Sequence, residues 1–114
     1  MGTHSATIYK ILSGEAWREA ERSGVYHGSS DDTRDGFIHF STAEQTPGTY
    51  DKYFSGKPDL ILAAIDVEAL GDALKWEPSR GGALFPHLYG DLPLSAVLWS
   101  RVLVSVDDVR QLRQ

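Results

Sequence analysis

The stretch DLILAAID, residues 59–66, constrains the fold more than any other part of the chain. It is a continuous apolar run bounded by Pro58 and Asp66. An uninterrupted run of this kind, without polar alternation, is the pattern of a strand covered on both faces. It is expected to form the centre of a sheet.

The segments around it supply further elements. ATIYKIL, residues 6–12, is rich in β-branched and aromatic residues and is expected to be a strand, with Ile8, Lys10 and Leu12 on one face and Tyr9 and Ile11 on the other. Ser13 is a plausible N-cap for a helix running from about Gly14 to Ser23, carrying Ala16, Trp17 and Ala20 and stopped by Gly24. VYHGSSDDTRDG, residues 25–36, is dense in turn residues and reads as a polar loop. GFIHFS follows, with Phe37, His39 and Ser41 on one strand face and Ile38 and Phe40 on the other. Ser41-Thr42-Ala43-Glu44 has the spacing of a capping box led by Ser41, and Pro47 predicts a break or kink before TYDKYFSG resumes as helix. VEALGD suggests a helical turn, ALKWE a short strand, AVLWSRVLV (96–104) a long strand, and the tail SVDDVRQLRQ a weak helix. Strands interspersed with two main short helices, without regular βαβ alternation, predict an α+β domain, and neither GxGxxG nor GxxxxGK[ST] occurs.

A chain of 114 residues fits one domain spanning 1–114. Its formal charge of -5 argues against a protein whose affinity rests on neutralising nucleic-acid phosphates. With no cysteine, thiolate chemistry, disulfides and cysteine-ligated zinc are excluded. MGTHSATIYK lacks the basic start and apolar run of a signal peptide, and no run approaches the ~20 residues that span a bilayer. The expected compartment is the cytoplasm, with no membrane partner.

Chemistry concentrates in two places. WEPSRGGALFPHLYG, residues 76–90, carries Arg80, His87 and Tyr89 with no helix or strand period, and irregular segments on a rigid scaffold hold a disproportionate share of functional groups. Gly81-Gly82 would leave the Arg80 guanidinium free to grip phosphate or carboxylate. Glu77, beside Trp76, is a candidate catalytic carboxylate in a setting that would raise its pKa. The second place is His39, beside Ser41, suited to bonding a ligand hydroxyl or to acid–base work near neutral pH. Each has a plain structural alternative: a histidine satisfied by a backbone carbonyl, a surface arginine on a turn, a solvated glutamate at a strand end. The histidines and carboxylates show no H-x-x-x-H spacing and there is no G-x-S-x-G elbow, so neither a metal site nor a serine triad is expected.

In order, IYKIL, Trp17, GVYHGS, DGFIHFST, DLILAAID, LKWEPSRGG and FPHLYGDL resemble the DUF952 family of small, functionally uncharacterised bacterial proteins. That family is similar in fold to the ADP-ribosyltransferases, whose members bind NAD in a cleft between two small sheets. The resemblance implies an ADP-ribosyltransferase-like α+β fold in which short mixed or antiparallel sheets form a cleft. Compared with the RNA 2'-phosphotransferase branch, His39 and Ser41 match second-strand positions lining the NAD cleft. Lys10 falls where that branch has a ligand-gripping histidine.

These observations predict a cleft that binds a nucleotide or NAD-like small molecule, with possible ADP-ribosyl or ribose-phosphate transfer. His39, His87 and Glu77 are the candidate catalytic residues; Lys10, Ser41, Tyr53, Arg80 and Tyr89 are the candidate ligand contacts. NAD enters as a possible substrate and no resident cofactor is assigned. Two alternatives stand beside this: a binding domain that kept the fold and lost the chemistry, and a histidine-dependent acid–base enzyme acting on an unrelated small molecule.

Overall fold

The structure is a computed structural model that describes residues 6–112; the side chain of Arg80 lies outside the described residues. Along the chain run β1 (Thr7–Ser13), α1 (Gly14–Ser23), β2 (Val25–Tyr26), α2 (Ser30–Asp35), β3 (Ile38–His39), α3 (Thr46–Thr49), β4 (Leu60–Asp66), β5 (Leu74–Pro78), β6 (Leu84–Leu88), β7 (Leu92–Pro93), β8 (Val97–Leu103) and α4 (Asp107–Arg110). They form an α+β arrangement of short antiparallel sheets in the orders β1-β4-β8, β2-β7 and β3-β6-β5.

The apolar run of β4 lies at the centre of the first sheet, as its composition demands. Its Ala63 and Ile65 face one apolar layer with Ile8, Leu12, Trp17, Ile38, Phe40 and Leu88, while its Leu60, Leu62 and Ala64 face a second with Tyr9, Ile11 and Val109. Leu62 and Ile65 are completely buried, and full burial of such a side chain contributes roughly 1.5–3 kcal/mol. β1 runs antiparallel beside β4 with Lys10 opposite Ala63, which puts an ammonium on the same face as Ile8 and Leu12. No helix among the described residues is long and apolar enough to cross a membrane.

α1 has the expected bounds because both its caps are written locally. The Ser13 hydroxyl accepts from the Ala16 amide, and Gly24 closes the helix in the left-handed region at φ 85°. The next segment departs from expectation. The stretch read as a polar loop holds β2 and the helical turn α2, capped by Ser29, whose hydroxyl accepts from Asp32 N while the Asp32 carboxylate accepts from Ser29 N. A reciprocal box satisfies two orphan amides at once and offsets the poor helix propensity of SDDTRD.

The box expected at Ser41 forms one residue later. Ser41 is held extended by paired backbone bonds with Tyr9, so Thr42 and Gln45 exchange the capping bonds instead, at 3.1 and 3.0 Å. The expected break at Pro47 is also absent. Pro47 falls in the first turn of α3, where its missing amide has no acceptor to lose, and the chain continues directly into a π-helical turn over Tyr50–Phe54.

The stretch 76–90 is more regular than its sequence suggests: it contains the end of β5, a tight turn over Arg80–Gly82, and β6, the central strand of the second sheet. Pro86 hid this strand. Its carbonyl accepts from Phe40 N at 3.0 Å, so its nitrogen points the same way, toward the two-residue strand β3, and the proline removes a single ladder bond where pairing is already ending.

Candidate functional site

A backbone bridge joins the two three-stranded sheets. Tyr9 N donates to Ser41 O at 2.7 Å and Ser41 N to Tyr9 O at 2.9 Å, joining β1 to the chain just after β3. Beside this seam opens a cleft of about 380 Å³, lined among others by Lys10, Asp32, His39, Ser41, Tyr53 and His87. Its size falls near the lower end of the ~300–1,000 Å³ typical of small-molecule sites.

Asp32 is the buried hub of the cleft. One oxygen accepts from Lys10 Nζ at 3.0 Å and Ser29 N at 2.9 Å; the other accepts from His39 N at 3.1 Å and lies 2.6 Å from His39 Nδ1. Burial pushes its carboxyl up, but the His39 bond, the Lys10 charge and the Ser29 amide outweigh burial and hold it well below the usual carboxylate range. Lys10 is enclosed and donates its remaining bond to His39 O at 2.8 Å; burial, opposed by Asp32, lowers its pKa. Gly28, at φ 106°, makes room for the hub, since a Cβ there would lie 2.8 Å from Asp32 Cβ.

His39 and His87 are opposite partners on β3 and β6, with ring centroids 5.4 Å apart. Phe37 covers both, stacked on His87 at 4.1 Å and tilted against His39 at 4.7 Å. Each imidazole has its own carboxylate. His39 bridges Asp32 and Asp35, whose Oδ2 lies 3.0 Å from its Nε2. His87 Nδ1 lies 2.7 Å from Glu77 Oε1, and Tyr89 donates its phenol to both oxygens of that carboxylate at 2.8 and 3.1 Å.

The raised pKa expected for Glu77 is therefore reversed: the His87 and Tyr89 hydrogen bonds hold it below its ordinary value. The same bond raises the Tyr89 phenol. Neither histidine follows the plain alternative of a ring satisfied by a backbone carbonyl, because both rings bond side-chain carboxylates.

Of the residues singled out from sequence, Lys10, His39, Ser41, Tyr53 and His87 line one cleft, and Glu77 and Tyr89 stand behind His87. Lys10 does not project as an open cation, because its ammonium is enclosed against Asp32 and the His39 carbonyl. Ser41 Oγ is 2.8 Å from Thr49 Oγ1. Tyr53 is about half exposed at the rim. Sequence reasoning missed Asp32, Asp35 and Phe37. For Asp32 a signal existed, since Ser29-Ser30-Asp31-Asp32 has capping-box spacing with an aspartate at the third position.

A family model described as a protein of unknown function, DUF952, matches residues 11–100. Solved structures of protein CC0527 from Caulobacter crescentus are similar to the chain. Its crystal structure is 49% identical, with a TM-score of 0.84 and 86% of each chain covered. Its solution NMR structure is 48% identical, with a TM-score of 0.79, covering 92% of this chain and 91% of that one. No curated protein matches.

Proposed function

The chain belongs to the DUF952 family of unknown function, and from the chemistry of its cleft we propose that it binds a nucleotide or NAD-like small molecule. The observation that carries this reading is the pair of histidines, His39 and His87, set at a steep angle to each other in a cleft between two small sheets and each backed by a carboxylate. Convergent polar groups in a partly apolar cleft are what small-molecule recognition needs. A cleft between two small sheets is also what an ADP-ribosyltransferase-like architecture calls for, and that likeness is part of the proposal.

In this reading His39 and Ser41 meet ribose hydroxyls and Tyr53, at the rim of the cleft, stacks on a base. Lys10 acts through Asp32, fixing the carboxylate that orients His39, rather than by touching phosphate. Any chemistry is ADP-ribosyl or ribose-phosphate transfer. Isothermal titration of the parent protein, His39→Ala and Ser41→Ala with NAD, ADP-ribose and mononucleotides tests it. Binding by the parent, weakened in both variants, is expected; no heat from any of the three ligand types would overturn the proposal.

A second reading keeps the binding and drops the turnover. It is favoured by Lys10, which on the resemblance to the phosphotransferase branch stands in place of a ligand-gripping histidine, and which is already paired with Asp32. It predicts that NAD binds and that no nicotinamide appears on prolonged incubation.

A further inference from the structure

His87 is 3% exposed, and its Nε2 is buried with no hydrogen-bond partner among the described residues. Leaving a buried polar atom unpaired costs roughly 1–3 kcal/mol, so such an atom in the wall of a cleft calls for an explanation. We propose that Tyr89, Glu77 and His87 form a proton-accepting arm of the cleft, in which His87 Nε2 takes the proton of a sugar hydroxyl on the bound ligand.

The direction of the arm follows from its donors. Tyr89 donates to both oxygens of Glu77, and a carboxylate accepts only, so the 2.7 Å contact from Glu77 Oε1 to His87 requires a hydrogen on Nδ1. A neutral imidazole protonated at Nδ1 presents a lone pair at Nε2. Phe37, stacked on the ring at 4.1 Å and an interplanar angle of 24°, fixes the plane in which that lone pair points.

The surroundings select the group that it meets. Facing His87 are Glu77 and Lys75 on β5, Tyr89 just after β6, and His39 on β3 with Asp32 and Asp35 behind. The Glu77 carboxylate bonded to the same ring disfavours a phosphate oxygen at His87, and a lone-pair acceptor has no hydrogen to give one. A neutral hydroxyl satisfies both conditions. As the proton transfers, the ligand O–H bond breaks, an N–H bond forms at Nε2 and the electron pair stays on the ligand oxygen. The imidazolium so formed is balanced by Glu77. The ligand's sugar therefore lies against His87 and its phosphates lie away from it.

The inference rests on the cleft being the ligand site, and a test can separate the two claims. Protein carrying ¹⁵N-labelled histidine is titrated with ADP-ribose and with NAD, following the ring nitrogens of His87 and His39 in the parent and in Glu77→Gln. The free parent is expected to show His87 protonated at Nδ1, with Nε2 moving upfield as ligand saturates. Glu77→Gln is expected to keep the parent's amide spectrum, lose that tautomer preference and bind about 10-fold more weakly, the loss of one good hydrogen bond. A free protein whose His87 carries its hydrogen on Nε2 overturns the inference. Saturable binding that shifts His39 and leaves Nε2 of His87 unmoved also overturns it and leaves the proposed function standing. Absence of binding by either ligand removes both.

Discussion

Lys10 Nζ lies 3.0 Å from Asp32 Oδ2, an ion pair enclosed on both sides in the wall of the cleft. Its two halves are not equivalent. Asp32 also accepts from Ser29 N, His39 N and His39 Nδ1, whereas Lys10 donates besides to the His39 carbonyl. Removing Asp32 strands a buried ammonium and leaves three further donors unpaired; removing Lys10 leaves a carboxylate that still has three. Asp32→Ala is therefore expected to cost about 3–5 kcal/mol, and Lys10→Met clearly less. Urea unfolding of the two variants measures the order, and equal costs would contradict it.

Acid stability should report the same hub. The folded-state pKa of Asp32 is depressed, so its contribution is complete above the unfolded carboxylate range and is lost as pH falls through that range toward the folded value. The parent is expected to be more stable than Asp32→Asn at pH 7, with the gap narrowing once pH drops below about 4, the ordinary aspartate value. Urea midpoints of both proteins from pH 7 downward give the comparison. A gap that stays constant across that range would mean that the ionised form is not what the fold uses.

Gly28 and Gly24 both hold positive φ, at 106° and 85°, but only Gly28 has a neighbour in the way. Gly24→Ala is expected to carry the backbone penalty alone, ~1–2 kcal/mol. Gly28→Ala adds a Cβ that meets Asp32 Cβ at 2.8 Å and Ile38 Cγ1 at 3.3 Å, so it should cost more and move the Asp32–His39 contact. Unfolding free energies, with histidine ring chemical shifts as the local readout, separate the two. Equal penalties with unmoved His39 signals would show that the loop gives way.

What could be read from the chain alone was what short spacing encodes. β4 announced itself by its unbroken apolar run, and α1 by Ser13 and Gly24 at its ends. β6 did not, because Pro86 is tolerated only by virtue of the short strand beside it, a property of pairing rather than of sequence. The Ser41 box failed for a related reason: the bridge to Tyr9, distant in sequence, decides which residue is free to cap. Much of the site was visible as residue types, His39, His87 and Glu77 among them. The organising carboxylate was not, since Asp32 meets Lys10 across 22 residues and His39 across seven, and only the folded chain brings those three together.

The Tyr89–Glu77 bond offers the mildest perturbation of the site. Tyr89 is 44% exposed and its phenol contributes one of the two side-chain bonds that lower Glu77, the larger being from His87. Tyr89→Phe deletes that bond without emptying the core, so the melting temperature should hardly move. The Glu77 carboxyl should rise toward its ordinary value while staying below it, because His87 still donates. Carboxyl ¹³C titration of Glu77 in the parent and in Tyr89→Phe reads this directly. A Glu77 that titrates identically in both would mean that the phenol does not bond the carboxylate in solution.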